Sequence, residues 1–431
     1  MKKIINKIFP LIIFIILTSI FYANLFLPKL SIYFTPDLGR SDIVHLAFPF
    51  HNLFSQIIKK GKIPLWTNQI GTGIPLLFSG QASFNVISYL LLLISSSGLS
   101  FDFSYVVFTM ICLLSTYALG RYLKFSRYTS LFISVVFSFS GIFIFRLQHD
   151  GVFTTSCFLP LIFLLSLKTI ENLRLVDGLL LAFVICQQIF IGHPQYVFIT
   201  LLGASSFVVF SLIISEEKLA DKIKKILFFF TAVIFGIGMA SIKIFPFYEF
   251  KNISLRSQGL SFSEATSQSF SPKYFLTLIY PFIFGNPANG SYPLFKNGLD
   301  IFWEKAGYIG IIPLILALYG VFKRKKPSPY KKTTIFLLII SFLLVLGRYS
   351  PISFIYLFQP FNFFQIPSRF LILLIFSLSI LAGYGLELIA KEKINQSALI
   401  FLLTLFSFAS SMFILYLYHP TVTVKDLLKP P

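Results

Sequence analysis

The chain reads as an all-α polytopic membrane protein: a bundle of about 11–12 transmembrane helices, with an outer first loop carrying an interfacial helix and a long outer loop near residues 246–307. Three observations predict this. Of the 431 residues, 56% are hydrophobic and 12% charged, whereas a soluble domain carries about 25% charge. Apolar runs of about 15–20 residues recur along the chain, near the length that crosses a bilayer. The formal net charge of +20 is concentrated in short turns: Lys2, Lys3 and Lys7; Arg121, Lys124 and Arg127; Lys218, Lys222, Lys224 and Lys225; Lys323, Arg324, Lys325 and Lys326 with Lys331 and Lys332; Lys391 and Lys393. That is the signature of cytoplasmic loops. It makes the lipid bilayer the partner and excludes nucleic acid.

Residues 8–27 follow a basic start and form an apolar run of about 20 with no clear small-residue cleavage site, so an uncleaved first helix is expected. With the N-terminus inside, it delivers residues 28–83 to the outer side. Further spans are predicted near 104–120, 129–145, 152–167, 176–191, 196–214, 226–245, 308–322, 333–347, 370–389 and 397–416. This arrangement leaves the basic turns, with Lys168 and Arg174, in the cytoplasm. It places RLQHDG (146–151), GHPQ (192–195), residues 246–307 and the stretch from GRYSP to PSRF (347–370) outside. Residues 84–97 form an apolar run too short for a comfortable crossing; a re-entrant or interfacial segment keeps the later loops on their expected sides, and the alternative is a real span with a compensating change elsewhere in the topology. The 246–307 loop is too long for a plain connector, and a partly helical cap is expected there. The whole chain, 1–431, is read as one transmembrane domain. Cys112, Cys157 and Cys186 lie in apolar runs and read as packing residues, not as a disulfide framework or a metal site.

The stretch from Thr35 to Gln81, TPDLGRSDIVHLAFPFHNLFSQIIKKGKIPLWTNQIGTGIPLLFSGQ, is the most informative. A bilayer protein has no structural need for two aspartates, two histidines, a PLW and a GTGxP just past its first helix, whereas loops on a rigid scaffold are where chemistry is placed. Asp42 opens SDIVHLAFPFHNLFSQIIKKGK, which reads as an amphipathic membrane-surface helix. It is the first candidate for proton transfer, with Asp37 in the turn TPDLG as the second. The competing reading makes Asp42 a helix cap, with Ser41 as the rival cap.

Other polar groups predicted on the outer side form a candidate binding set: His45, Trp66, Gly73, Gln81, His149, His193, Gln195, Glu249, Arg256, Glu304, Arg348 and Arg369. Arginines near an outer interface suit phosphate capture, and Arg369 stands out because it starts a span directly after IPS; the alternative for each is an interfacial anchor. Glu249 and Glu304 flank the long loop and could pair with them. A divalent metal held by Asp42, His45 and His149 is conceivable, but no spacing here is diagnostic of one. Gly71, Gly73 and Pro75 suggest a tight turn. Trp66 and Trp303 could stack on sugar rings or serve as interface anchors.

Taken in order, SDIVHLAFPF, GKIPLWTNQIGTGIPLLFSGQ, GHPQ, YPFIFG, FWEKAGYIGIIPLILAL, LGRYSPI and FQIPSRF resemble the YfhO family of bacterial membrane proteins, within the GT-C class of glycosyltransferases. The matching pieces run from about residue 37 to 385, most of the chain. The resemblance implies a GT-C-like bundle in the bacterial plasma membrane with its site on the outer face. It implies transfer of a sugar from a polyprenyl-phosphate donor to a cell-envelope polymer or glycolipid. In that class an aspartate of the first outer loop is the usual catalytic residue, and Asp42 matches the position best. Gln365 stands where the family often has an arginine, which shifts the phosphate contact onto Arg369. Family members are commonly longer, so the resemblance implies that a truncated or a minimal member is to be expected.

Two other readings stand beside the inverting transferase. A lipid-linked sugar flippase would place charged residues in mid-span facing a cavity, and Lys243 is the nearest to one. A non-catalytic scaffold would leave the clustered outer Asp, His and Arg without a role.

Overall fold

The computed structural model describes residues 2–33, 42–69, 72–76, 85–252, 257–292, 301–323, 328–390, 396–419 and 421–423. Among these, helices dominate because the apolar runs must satisfy their own backbone within lipid. Six helices are long and apolar enough to cross a membrane: Ser97–Tyr122, Arg127–Ile144, Asp150–Asn172, Pro194–Ile213, Pro367–Ile389 and Ser397–Tyr418. Leu219–Met239 and Ser241–Glu249 make a seventh if the 70° bend between them is counted within one span. Ile8–Phe21, Leu175–Ile191 and Ile311–Phe322 are shorter apolar helices.

Each of the eleven predicted spans coincides with a helix, but the count of full-length spans is smaller than the 11–12 expected. The reason is where helices stop. Gly192 and Gly310 both have positive φ (111° and 97°) and trim the helices beside them. Residues 84–97 yield a helix of only 9 residues, Val86–Ile94, which rises about 14 Å and cannot cross alone. It is capped by Asn85, whose carboxamide oxygen accepts from the backbone N–H groups of Ile87 and Ser88 at 3.0 and 3.2 Å. The bent helix Ser241–Asn252 intrudes into the predicted 246–307 loop. Beyond it the chain forms short helical turns, Phe262–Ala265, Pro272–Leu278, Pro287–Asn289 and Phe302–Lys305.

In the first loop, strand Ser31–Tyr33 pairs antiparallel with Thr421–Thr423, tying the end of the described chain to the entry of the loop. A π-helical turn, Ile43–Ala47, then runs into the helix Phe48–Lys59, which buries Phe50, Leu53, Phe54 and Ile58. A two-residue ladder, Trp66–Thr67 with Ile74–Pro75, follows.

Arg127–Ile144 and Asp150–Asn172 are the most enclosed spans, each 89% buried, against 39% for Ser397–Tyr418. They form the centre together with Pro367–Ile389, and Phe376 interlocks the three, edge-on to Phe137 at 5.1 Å and Phe163 at 4.8 Å. Helix Ile311–Phe322 approaches that central helix backbone to backbone. A Cβ on Gly385 would stand 2.0 Å from the Leu316 carbonyl oxygen, and one on Gly320 would stand 2.2 Å from that of Leu381. Small residues permit such contacts between membrane helices. Gly385→Ala therefore forces the helices apart, at about 1–3 kcal/mol for overpacking, and lowers the melting temperature in detergent. Gly238→Ala, where nothing lies within 4 Å, leaves it unchanged and serves as the control.

Candidate active site

The fold gathers residues from five separate stretches at one end of the central spans. Glu304 lies in the turn Phe302–Lys305 and is 1% exposed. It accepts from two guanidinium groups: Arg146, through Nη2, and Arg369, whose Nε is 3.1 Å away. Burial alone would raise the Glu304 pKa; Arg146 and Arg369 outweigh it and hold the carboxyl at about 2. Arg369 extends further. Its Nη1 donates to Gln195 Oε1 at 2.8 Å and meets His193 Nε2 at 3.1 Å. Gln195 in turn donates to the Ile366 carbonyl at 2.8 Å, clamping GHPQ to IPSRF.

His193 is neutral, since burial first and then Arg369 push its pKa well down. Because Arg369 can only donate, the imidazole accepts at Nε2 and carries its proton on Nδ1. The arginines thus share one carboxylate, and the triad, with Arg146 and Glu304 buried and Arg369 half-buried, keeps a net charge of +1. Burial works against Arg146's charge, but Glu304 restores it and raises its pKa. Arg146 Nε and Nη1 are buried and make no well-formed hydrogen bond among the described residues, although the Tyr196 hydroxyl lies near enough to accept from this guanidinium. Unused donors and surplus positive charge in a dry place suit an anion.

Asp42 faces this cluster across His149 and Trp303. His149 Nε2 lies 3.5 Å from Asp42 Oδ2, and its ring sits against the Trp303 indole with centroids 5.1 Å apart. Burial, then Arg146, drives the His149 pKa well below 6.5, so this contact is between a carboxylate and a neutral imidazole. Asp42 has helical backbone angles and makes no capping hydrogen bond. The cap reading therefore does not hold. Its side chain is 59% exposed, yet the protein around it raises its pKa, with His45 pulling the other way. An open carboxylate made more basic is suited to accept a proton.

The remaining candidates stand apart. His45 is exposed on the same turn as Asp42. Trp66 is 55% exposed on the short ladder and packs over Gly73, where a Cβ would come within 2.7 Å of the indole. Glu249 is exposed near the end of the bent helix. Arg348 spends its guanidinium on the carbonyls of Thr266 (3.1 Å) and Ser263 (3.2 Å), a loop-holding role. Asp37, Gln81 and Arg256, with Ser41 and Gly71, lie outside the described residues. His51 turns inward to Ser100 (2.7 Å), with its pKa pushed down to about 3 by burial. His419 contacts the Ile144 carbonyl at 2.7 Å. No three His, Cys, Asp or Glu side chains among the described residues are grouped to hold a metal ion, and the set Asp42, His45 and His149 does not form such a site. Arg146 carries one signal in the sequence, its place in RLQHDG, a polar break between two apolar spans.

No protein-family model matches the chain, and no curated protein matches it in sequence. Solved structures do match in fold. The chain is similar to the arabinofuranosyltransferase AftD from Mycobacteria, with a TM-score of 0.54 and 10% identity over 94% of this chain and 26% of that one. A mutant of the same protein gives 0.54 and 10% over 94% and 28%. ArnT from Cupriavidus metallidurans, bound to undecaprenyl phosphate, gives 0.45 and 13% over 88% and 60%. The chain thus spans about a quarter of the length of AftD. The fold is a polytopic helical bundle of the GT-C type.

Proposed function

We propose that the protein is a membrane glycosyltransferase, related to the YfhO family, that moves a sugar from a polyprenyl-phosphate donor to a cell-envelope polymer or glycolipid. The reaction would take place on the outer face of a bacterial plasma membrane. One observation carries this reading: an open, basic carboxylate, Asp42, stands beside a largely buried cluster of net charge +1 in which Arg146 retains unused donors. In the proposed step the acceptor oxygen attacks the anomeric carbon of the donor sugar and its proton passes to Asp42. The bond from that carbon to the phosphate oxygen breaks with inversion. The bonding electrons leave on the polyprenyl phosphate, whose added negative charge falls to Arg369 and Arg146. Neutral His149 orients Asp42, and Glu304 fixes both guanidinium groups without neutralising them. Trp303 offers an aromatic face beside the carboxylate.

A transfer assay tests it. Purified protein in lipid receives undecaprenyl-phosphate carrying radiolabelled N-acetylglucosamine or glucose, with crude envelope as acceptor. Label moving into polymer supports the reading, and its absence with every donor removes it. The flippase reading retains one specific observation, because Lys243 is buried and lines a cavity beside a bent helix. It predicts donor crossing between vesicle leaflets without polymer labelling.

A further inference from the structure

A cavity of about 300 Å³ borders the GHPQ segment, at the lower end of the ~300–1,000 Å³ range of small-molecule sites. Val197, Phe198 and Leu201 line it from the span Pro194–Ile213, and Ile237, Ile244 and Phe247 from the bent pair. The 70° bend separates the last three across its two arms. Ile237 and Phe247 are 37% and 41% exposed, which puts apolar side chains at the mouth, as befits entry from lipid. The lining has a single charged residue, Lys243, 7% exposed. Its one hydrogen bond among the described residues goes to the Phe190 carbonyl at 2.9 Å, and an ammonium has three N–H groups to place.

The cavity and the charge cluster share a wall. Gly192 and Pro194 line the cavity, while the alternating residues His193 and Gln195 hold Arg369. The cavity and the proposed phosphate site are therefore walled by neighbouring residues of one segment. The chemistry of the lining also selects its occupant. A free sugar or a nucleotide would find almost nothing to hydrogen-bond, and a lone cation in an apolar wall is costly without an anion. Apolar surface with one ammonium fits an amphiphile bearing one anionic head.

We propose that this cavity seats the head-proximal isoprene units of the lipid carrier, with Lys243 as a further cation for its phosphate. The proposal rests on the donor reading above. It is tested with the full chain in phosphatidylcholine nanodiscs, using farnesyl phosphate as the probe beside farnesol and inorganic phosphate. Leu201→Trp fills the cavity and raises the Kd for farnesyl phosphate about tenfold or more. Lys243→Gln raises it about tenfold, through loss of a charged hydrogen bond, and leaves farnesol binding unchanged. Farnesyl phosphate carrying a diazirine labels peptides 189–201 and 237–247 of the unmodified protein, which keeps the test open if a variant fails to fold. Folded Leu201→Trp binding as the parent does, labelling confined to other peptides, or inorganic phosphate binding as tightly as the prenyl compound would each overturn the proposal. Failure of the donor reading looks different: farnesyl phosphate still occupies the cavity, but no sugar moves from any donor.

Discussion

Replacing Asp42 by asparagine is expected to lower the turnover of sugar transfer by about 10²–10⁴-fold, the usual worth of a positioned general base, while donor binding stays within about threefold. The substitution keeps the size of the side chain and an oxygen that can still accept from His149, so the neighbouring geometry persists. It removes the ability to take a proton. Because the protein raises the pKa of Asp42, the acid limb of the parent's kcat/KM profile should lie above the ordinary aspartate range. Activity requires the ionised carboxylate, so it is present above that pKa and lost as pH falls through it. Asp42→Glu should restore part of the rate with a shifted limb, which a merely structural role would not produce. Transfer by Asp42→Asn within threefold of the parent would remove this residue from the mechanism. Attention would then pass to Asp37, outside the described residues, and to Glu249, which the fold leaves exposed.

The helices were legible because composition alone separates apolar runs from polar breaks, and every predicted span falls on a helix. Their lengths were not, since bends at Ala240 and stops at Gly192 and Gly310 depend on how helices meet. The same contrast explains the site. In a chain this apolar, Asp42, His149, His193, Gln195, Glu304 and Arg369 stand out simply by being polar in loops, and the fold brings all six together. What sequence spacing could not rank was partnership. The sequence sets Arg369 above Arg348 by its place at the start of a span, but not by partner: Arg348 holds two backbone carbonyls and Arg369 a buried carboxylate. Arg146 was passed over because its partner, Glu304, is 158 positions away. The capping reading of Asp42 failed for a local reason: Asp42 already has helical backbone angles where the π-helical turn begins, and its carboxylate makes no capping hydrogen bond.

Glu304→Gln is expected to cost more in stability than any other single change at the site. It leaves buried Arg146 beside half-buried Arg369 without a counter-charge, and removing one partner of a buried ion pair costs about 3–5 kcal/mol. The melting temperature in detergent should fall markedly. Adding Arg146→Met to Glu304→Gln removes the like-charge pair and should recover much of the loss, a coupling that a double-mutant cycle measures directly. The pH dependence has a defined sign. The Glu304 pKa is lowered from 4.5 to about 2, so its contribution is complete above pH 4.5 and declines as pH falls toward 2. The stability gap between the parent and Glu304→Gln should therefore be widest near neutrality and shrink between pH 4.5 and pH 2. A gap that stays constant across that window would mean that Glu304 holds the fold by shape and neutral hydrogen bonds. The surplus positive charge proposed to receive the leaving phosphate would then have to be sought in Lys243 and the cavity wall.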